Sequence, residues 1–175
     1  ITRVQDSSLH ISIVNDLLIP KSIELNIQLI DFNGDELWKT LKHFDIAGNS
    51  ASNISINLED AHIDEKLKSG SFVLVKAIND SSILPSINYF KDVKVLDLLR
   101  PNIILIITPS VLGYKITLYT DKLAKNVYLQ TDKNGFFSDN YFDLLPGETR
   151  EIFFKTQSKT FDSKTLKVLS IVDTY

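Results

Sequence analysis

The 175 residues carry 19 Lys+Arg against 22 Asp+Glu, a formal charge of −3 with the two signs interspersed. That balance excludes a phosphate-tracking surface, because non-specific affinity for nucleic acid comes from clustered cations that release counterions. With 43% hydrophobic and 23% charged residues the composition is that of a folded globular chain, and no apolar run approaches the roughly 20 residues of a membrane-spanning helix.

Cysteine is absent, which removes disulfides, thiol nucleophiles and thiolate–metal sites. Methionine is absent too, including at position 1, and no charged-then-apolar leader precedes the first apolar pattern, so a piece of a longer chain is expected.

In chain order the dominant period is two. In "LHISIVND" Leu9, Ile11 and Ile13 alternate with His10 and Ser12, and in "SIELNIQLID" Ile23, Leu25, Ile27 and Leu29 alternate with Glu24, Asn26 and Gln28. Both read as half-buried strands. Asn33-Gly34 in "FNGDEL" predicts a hairpin with a type I′ turn. "NISINLED" repeats the alternation with Ile54, Ile56 and Leu58, "DAHIDEKLKS" predicts one or two helical turns, and "SFVLVKAIN", apolar on both faces, predicts a central strand.

Downstream, "GYKITLYT", "AKNVYLQT", "TREIFFKTQ" and "TLKVLSIVDT" continue as strands. All Gly and Pro are expected between these runs, where turns need φ > 0 or tolerate a missing donor. About six strands before residue 97 and five or six after it predict an all-β fold of two consecutive immunoglobulin-like β-sandwiches, residues 1–98 and 99–175. The joint is expected at "VLDLLRPNI", where Arg100-Pro101 interrupts the pattern.

Chemistry-bearing motifs are few. No G-x-S-x-G, Walker loop or G-x-G-x-x-G occurs. "HIDE" offers His62, Asp64 and Glu65, and only His10 and His43 add imidazole, so a polar loop is the ordinary reading and no metal or cofactor is expected. Acids fall mostly on outward strand positions or in turns, where a solvated surface is the ordinary explanation. The sequons at Asn53 and Asn79 matter only in a eukaryotic secretory pathway. Aromatics offer another route, since sugars stack on exposed rings: Trp38, Phe136, Phe137 and Tyr141 are the candidates for carbohydrate contact. For Trp38 the alternative is a core tryptophan of the sandwich, the commoner fate in such strands.

"LAKNVYL" at 123–129 followed by "FSDNYFDLLPGE" at 137–148 resembles the C-terminal immunoglobulin-like domain of the β-mannosidases of glycoside hydrolase family two. "HISIVNDLLIPKSIELNIQLIDFNGDELW" at 10–38 and "SINYFKDVKVLDL" at 86–98 resemble the preceding sandwich of the same enzymes. The resemblance implies an exo-acting retaining hydrolase that releases terminal β-linked mannose, with two catalytic glutamates on a (β/α)₈ barrel that precedes these domains. No residue of 1–175 inherits a catalytic role from it. The implied partners are the catalytic barrel of the parent chain and a mannose-containing glycan, with no nucleic acid and no membrane insertion; the compartment would be secreted or periplasmic for a bacterial parent and lysosomal for an animal one.

Physically, the second motif reads as a fold-closing device. Pro146-Gly147 predicts a tight turn, with Leu144 and Leu145 entering it and Ile152 and Phe154 leaving on one face to pack on Val127 and Leu129. Asp139 and Asn140 suit the capping of loop N–H groups, and Tyr141 suits a tyrosine corner, its hydroxyl bonded to backbone. Three functions are therefore carried forward: an accessory region bracing a β-mannosidase barrel, a carbohydrate-binding module, and a protein-interaction pair.

Overall fold

The computed structural model describes residues 1–5, 8–158 and 160–174, Asp60 by its backbone. The chain forms two compact units, one of Ile1–Asp31 with Asp35–Asp97, the other of Leu98–Tyr175 together with Phe32–Gly34. Among the described residues no helix is long and apolar enough to cross a membrane.

The first unit contains β1 (Thr2–Gln5), β2 (Ser8–Asn15), β3 (Lys21–Asp31), β4 (Glu36–Ile46), β5 (Ser50–Asn57), α1 (Glu65–Gly70), β6 (Ser71–Ala77) and β7 (Ser86–Tyr89). Its strands make two antiparallel sheets, ordered β1-β2-β5 and β4-β3-β6-β7. Alternation decides which side chains face inward. Ile23, Leu25, Ile27 and Leu29 join Leu9, Ile11, Ile56 and Leu58 in one buried cluster, while Ser22 and Glu24 stay exposed. As the lack of alternation in β6 requires, Phe72, Val73, Leu74 and Val75 are all buried, and the strand lies between β3 and β7.

The β3–β4 hairpin forms, but its turn is not type I′. That turn needs φ > 0 at both central residues, and in the four residues 32–35 the positive φ belongs to Gly34, at 99°. Asp31 closes the loop instead: its N–H donates to the Asp35 carbonyl at 3.1 Å, and its Oδ1 accepts from the Asp35 N–H at 2.9 Å. The local side chain thus outweighs the dipeptide preference. In α1, Asp64 is the N-cap, its Oδ1 accepting from the Leu67 N–H at 2.7 Å.

The second unit contains β8 (Ile103–Ser110), β9 (Gly113–Thr120), β10 (Ala124–Thr131), β11 (Phe136–Phe137), β12 (Phe142–Leu144), β13 (Thr149–Lys155) and β14 (Leu166–Leu169). These form the sheets β12-β10-β14 and β11-β13-β9-β8. Val127, Leu129 and Leu144 from the first sheet share a core with Ile116, Leu118, Ile152 and Phe154 from the second. Each unit is thus an antiparallel sandwich of three plus four strands among the described residues, and the fold is all-β apart from α1 and short 3₁₀ turns.

Two punctuating residues lie inside strands rather than between them. Pro109 sits in β8, where an edge strand needs no second donor, and Gly113 opens β9 opposite Ser110. The strand expected through "SIVDT" stops at Leu169, because Asp173 Oδ2 takes the Ser170 N–H at 2.8 Å and its hydroxyl at 3.0 Å, winding the tail into a 3₁₀ turn.

Candidate carbohydrate-contact site

The span from Phe136 to Phe154 begins with a strand of two residues. Because β11 pairs with β13 through Phe136↔Lys155 and Phe137↔Phe154, the two phenylalanines point to opposite faces. Phe137 turns inward and stacks on Phe154 at 4.7 Å between ring centroids; Phe154 continues to Phe161 at 5.0 Å, and Phe161 to Tyr114 at 5.1 Å. Phe137 is therefore a core residue. Phe136 points out and is 81% exposed.

Ser138 keeps the edge paired beyond β11, its N–H donating to the Phe153 carbonyl at 2.7 Å and its hydroxyl accepting from the Phe153 N–H at 2.9 Å. Asn140 then clamps β10 with its side-chain amide: Oδ1 accepts from the Leu129 N–H at 2.7 Å and Nδ2 donates to the Leu129 carbonyl at 3.0 Å. One amide thereby replaces a strand partner. Asp139 accepts from the Asn140 N–H at 2.8 Å and pairs with Arg150, whose guanidinium lies 4.4 Å over the Phe142 ring.

Tyr141 departs from the tyrosine-corner expectation. At φ 62° its N–H donates inward to the Val127 carbonyl at 2.8 Å, which turns the side chain out. The ring stacks on Tyr128 at 4.9 Å and remains 68% exposed. Further on, Pro146 and Gly147 occupy the centre of a type II turn, with Gly147 at φ 73° and the Glu148 N–H donating to the Leu145 carbonyl at 3.2 Å.

Trp38 belongs to the first unit. It faces Leu29 across β3–β4 and packs half-buried on that unit's core, so the core alternative describes it better than an outward platform. Of the four aromatic candidates, Phe136 and Tyr141 are exposed, whereas Phe137 and Trp38 are partly buried against their units' cores.

Beside Phe136 a groove of about 620 Å³ opens, lined by Val111, Leu112, Asn134, Gly135, Lys155, Thr156 and Gln157. Gly135 is what lets the 134–136 segment lie against β13, since a Cβ there would fall 2.5 Å from the Lys155 carbonyl oxygen and 2.6 Å from the Phe154 ring. Of the residues around this groove only Phe136 is a candidate from the sequence; the others arrive from three separate turns and share no local pattern.

Several carboxylates are engaged within the protein. Asp143 holds Lys125 and the Asn126 N–H, and Asp162 accepts from the Lys164 N–H at 2.9 Å. In "HIDE", Asp64 is spent as a cap, while Lys91 and Lys68 beside Glu65 pull its carboxyl down to about 2. Lys21, aided by Ser82, does the same for Asp80, to about 2. Among the described residues no group of three or more His, Asp or Glu is placed to hold a metal. The Asn79 sequon amide is also committed, accepting from the Glu24 N–H at 3.0 Å and donating to the Ser22 carbonyl at 3.1 Å.

Residues 7–94 match the model of the mannosidase Ig/CBM-like domain. The chain belongs to this family. Residues 98–175 match a second mannosidase model, described as an Ig-fold domain, so immunoglobulin-like mannosidase domains account for both parts of the chain. Among solved structures, the chain is similar to the crystal structure of β-D-mannosidase from Dictyoglomus thermophilum, with a TM-score of 0.71 and 22% identity. That likeness covers 97% of this chain and 21% of the other, so the chain spans about one fifth of the length of the enzyme it resembles. No curated protein matches it. The mannosidase-type sandwiches are associated with glycoside hydrolases; in this chain Asn140 clamps β10, Asp139 pairs with Arg150 and Pro146-Gly147 makes the turn.

Proposed function

We propose that this chain is a non-catalytic accessory region of a β-mannosidase-like glycoside hydrolase. In this reading its two sandwiches brace the (β/α)₈ barrel of an exo-acting retaining enzyme that releases terminal β-mannose. The observation that carries it is the pair of matches to mannosidase immunoglobulin-like domains, which together span 7–94 and 98–175.

Bracing needs a sticky surface. The end of β2 and the loop after it supply a candidate, since Val14, Leu17, Leu18 and Ile19 are all exposed although Leu9 and Ile11 earlier in β2 are core residues. The decisive experiment has two arms. The purified 175 residues are assayed on an aryl β-mannoside, where turnover matches a heat-killed control. They are then added to a parent enzyme truncated before this region, where they raise its thermal midpoint and a Leu18→Asp variant does not. Turnover by the isolated chain, or no effect on the truncated enzyme, overturns the reading.

A further inference from the structure

We propose that the groove at Phe136 is a stacking site for a neutral hexopyranoside, with Phe136 as its platform. The site stands on the geometry of the second unit alone and does not depend on the accessory reading.

The two-residue strand β11 explains why the ring is available. Register with β13 sends Phe137 into the core and leaves Phe136 outside, so packing within this chain does not account for an aromatic at 136. The groove has three sides. The β8–β9 turn contributes exposed Val111 and Leu112, the loop before β11 contributes Asn134 and Gly135, and the chain leaving β13 contributes Lys155, Thr156 and Gln157.

Hydrogen bonds tie these sides together before any ligand arrives. The Thr156 N–H donates to the Leu112 carbonyl at 3.1 Å, and its hydroxyl donates to the Asn134 carbonyl at 2.7 Å. Gly135 closes the remaining gap by its contact with β13. A groove whose walls are fixed in advance spends little binding energy on ordering.

Its lining fits a sugar better than a purely apolar ligand or an anion-seeking one. A pyranose ring presents a C–H face, which suits an aromatic platform, and a rim of hydroxyls that both donate and accept. The Asn134 and Gln157 amides offer both functions and Lys155 offers donors; among the described residues none of the three side chains has a hydrogen-bond partner within the protein. Among the described residues no carboxylate lines the groove, and its volume of about 620 Å³ falls within the range of ligand sites. The rival sites are less suited: the Tyr141 ring has one face on Tyr128, and the cleft of about 440 Å³ in the first unit, floored by Ile11, Ile23, Leu25 and Val75, has no aromatic among its described residues.

The test is a titration of the ¹⁵N-labelled 175-residue chain with β-1,4-mannobiose, followed by amide chemical shifts. Saturable shifts confined to 111–112, 134–136 and 155–157 are expected at millimolar sugar, with affinity falling about tenfold in Phe136→Ala and unchanged in Tyr141→Ala. Phe136 is exposed, so far-ultraviolet circular dichroism of the variant stays that of the parent chain. An absence of shifts at these amides, equal affinity in Phe136→Ala, or shifts produced by a uronate but not by mannobiose would each overturn the proposal. A flat titration leaves the accessory reading intact, because the assays of bracing do not involve this groove.

Discussion

Lys125 and Asp143 form a buried ion pair across β10 and β12: Nζ lies 3.1 and 3.0 Å from the two carboxylate oxygens, with the side chains 9% and 14% exposed. Asp143 Oδ1 also accepts from the Asn126 N–H at 3.0 Å, where Asn126 adopts φ 51° and the register slips between Ala124 and Val127. The carboxylate therefore pins a β-bulge and neutralises a lysine in one position. Removing one partner strands the other charge, so Asp143→Ala is expected to cost about 3–5 kcal/mol, whereas the double variant Lys125→Met with Asp143→Leu costs less than Asp143→Ala alone. Urea unfolding of the three proteins checks the ordering.

Asn140 is expected to act as a strand partner rather than a surface residue. Asn140→Ala leaves the N–H and carbonyl of buried Leu129 without their bonds, a loss of about 1–3 kcal/mol. Hydrogen exchange localises the effect: the Leu129 amide loses protection, while Ile27 in the first unit keeps its own. Asn140→Asp retains the acceptor and loses the donor, and falls between the two.

The adjacent phenylalanines give a sharper contrast. Phe137→Ala removes a ring from the Phe154 stack and is expected to cost about 3–5 kcal/mol. Phe136→Ala touches an exposed ring and stays within about 0.5 kcal/mol. Thermal midpoints of the two variants separate the structural residue from the proposed binding one.

Acid sensitivity follows from Glu65 and Asp80, both held near 2 in the folded protein, Glu65 by Lys91 and Lys68 and Asp80 by Lys21 and Ser82. A depressed folded value contributes stability that is complete above the unfolded value, 4.5 for Glu65 and 3.8 for Asp80, and is lost as pH falls through the folded one. The urea midpoint is therefore expected to decline between roughly pH 4.5 and pH 2. Glu65→Gln and Asp80→Asn each flatten that decline, and added salt flattens the Glu65 share more, because its side chain is 74% exposed and Asp80's is 14% exposed.

Period-two alternation made most of the fold legible in the sequence. Ile23, Leu25, Ile27 and Leu29 face one core because consecutive side chains in a strand point to opposite sides, and no distant information is needed to see it. The unbroken apolar run of β6 marked its central place for the same local reason, and Pro146-Gly147 marked a turn because φ is restricted at one residue and free at the next.

What lay beyond reach was whatever depends on a partner far along the chain. Asn33-Gly34 carried the type I′ preference, yet the Asp31 carboxylate selected another loop. Phe136 and Phe137 were equal candidates until pairing with β13 assigned one to the core and one to solvent, and Tyr141 faced out once its N–H was committed to Val127. The Lys125–Asp143 pair left no mark in the sequence, because a lysine and an aspartate 18 residues apart become partners only when β10 and β12 lie side by side. Sequence by itself determined which residues alternate into strands and where the chain turns. Only the tertiary structure decided strand register, and through it which ring, amide and charge end up facing solvent.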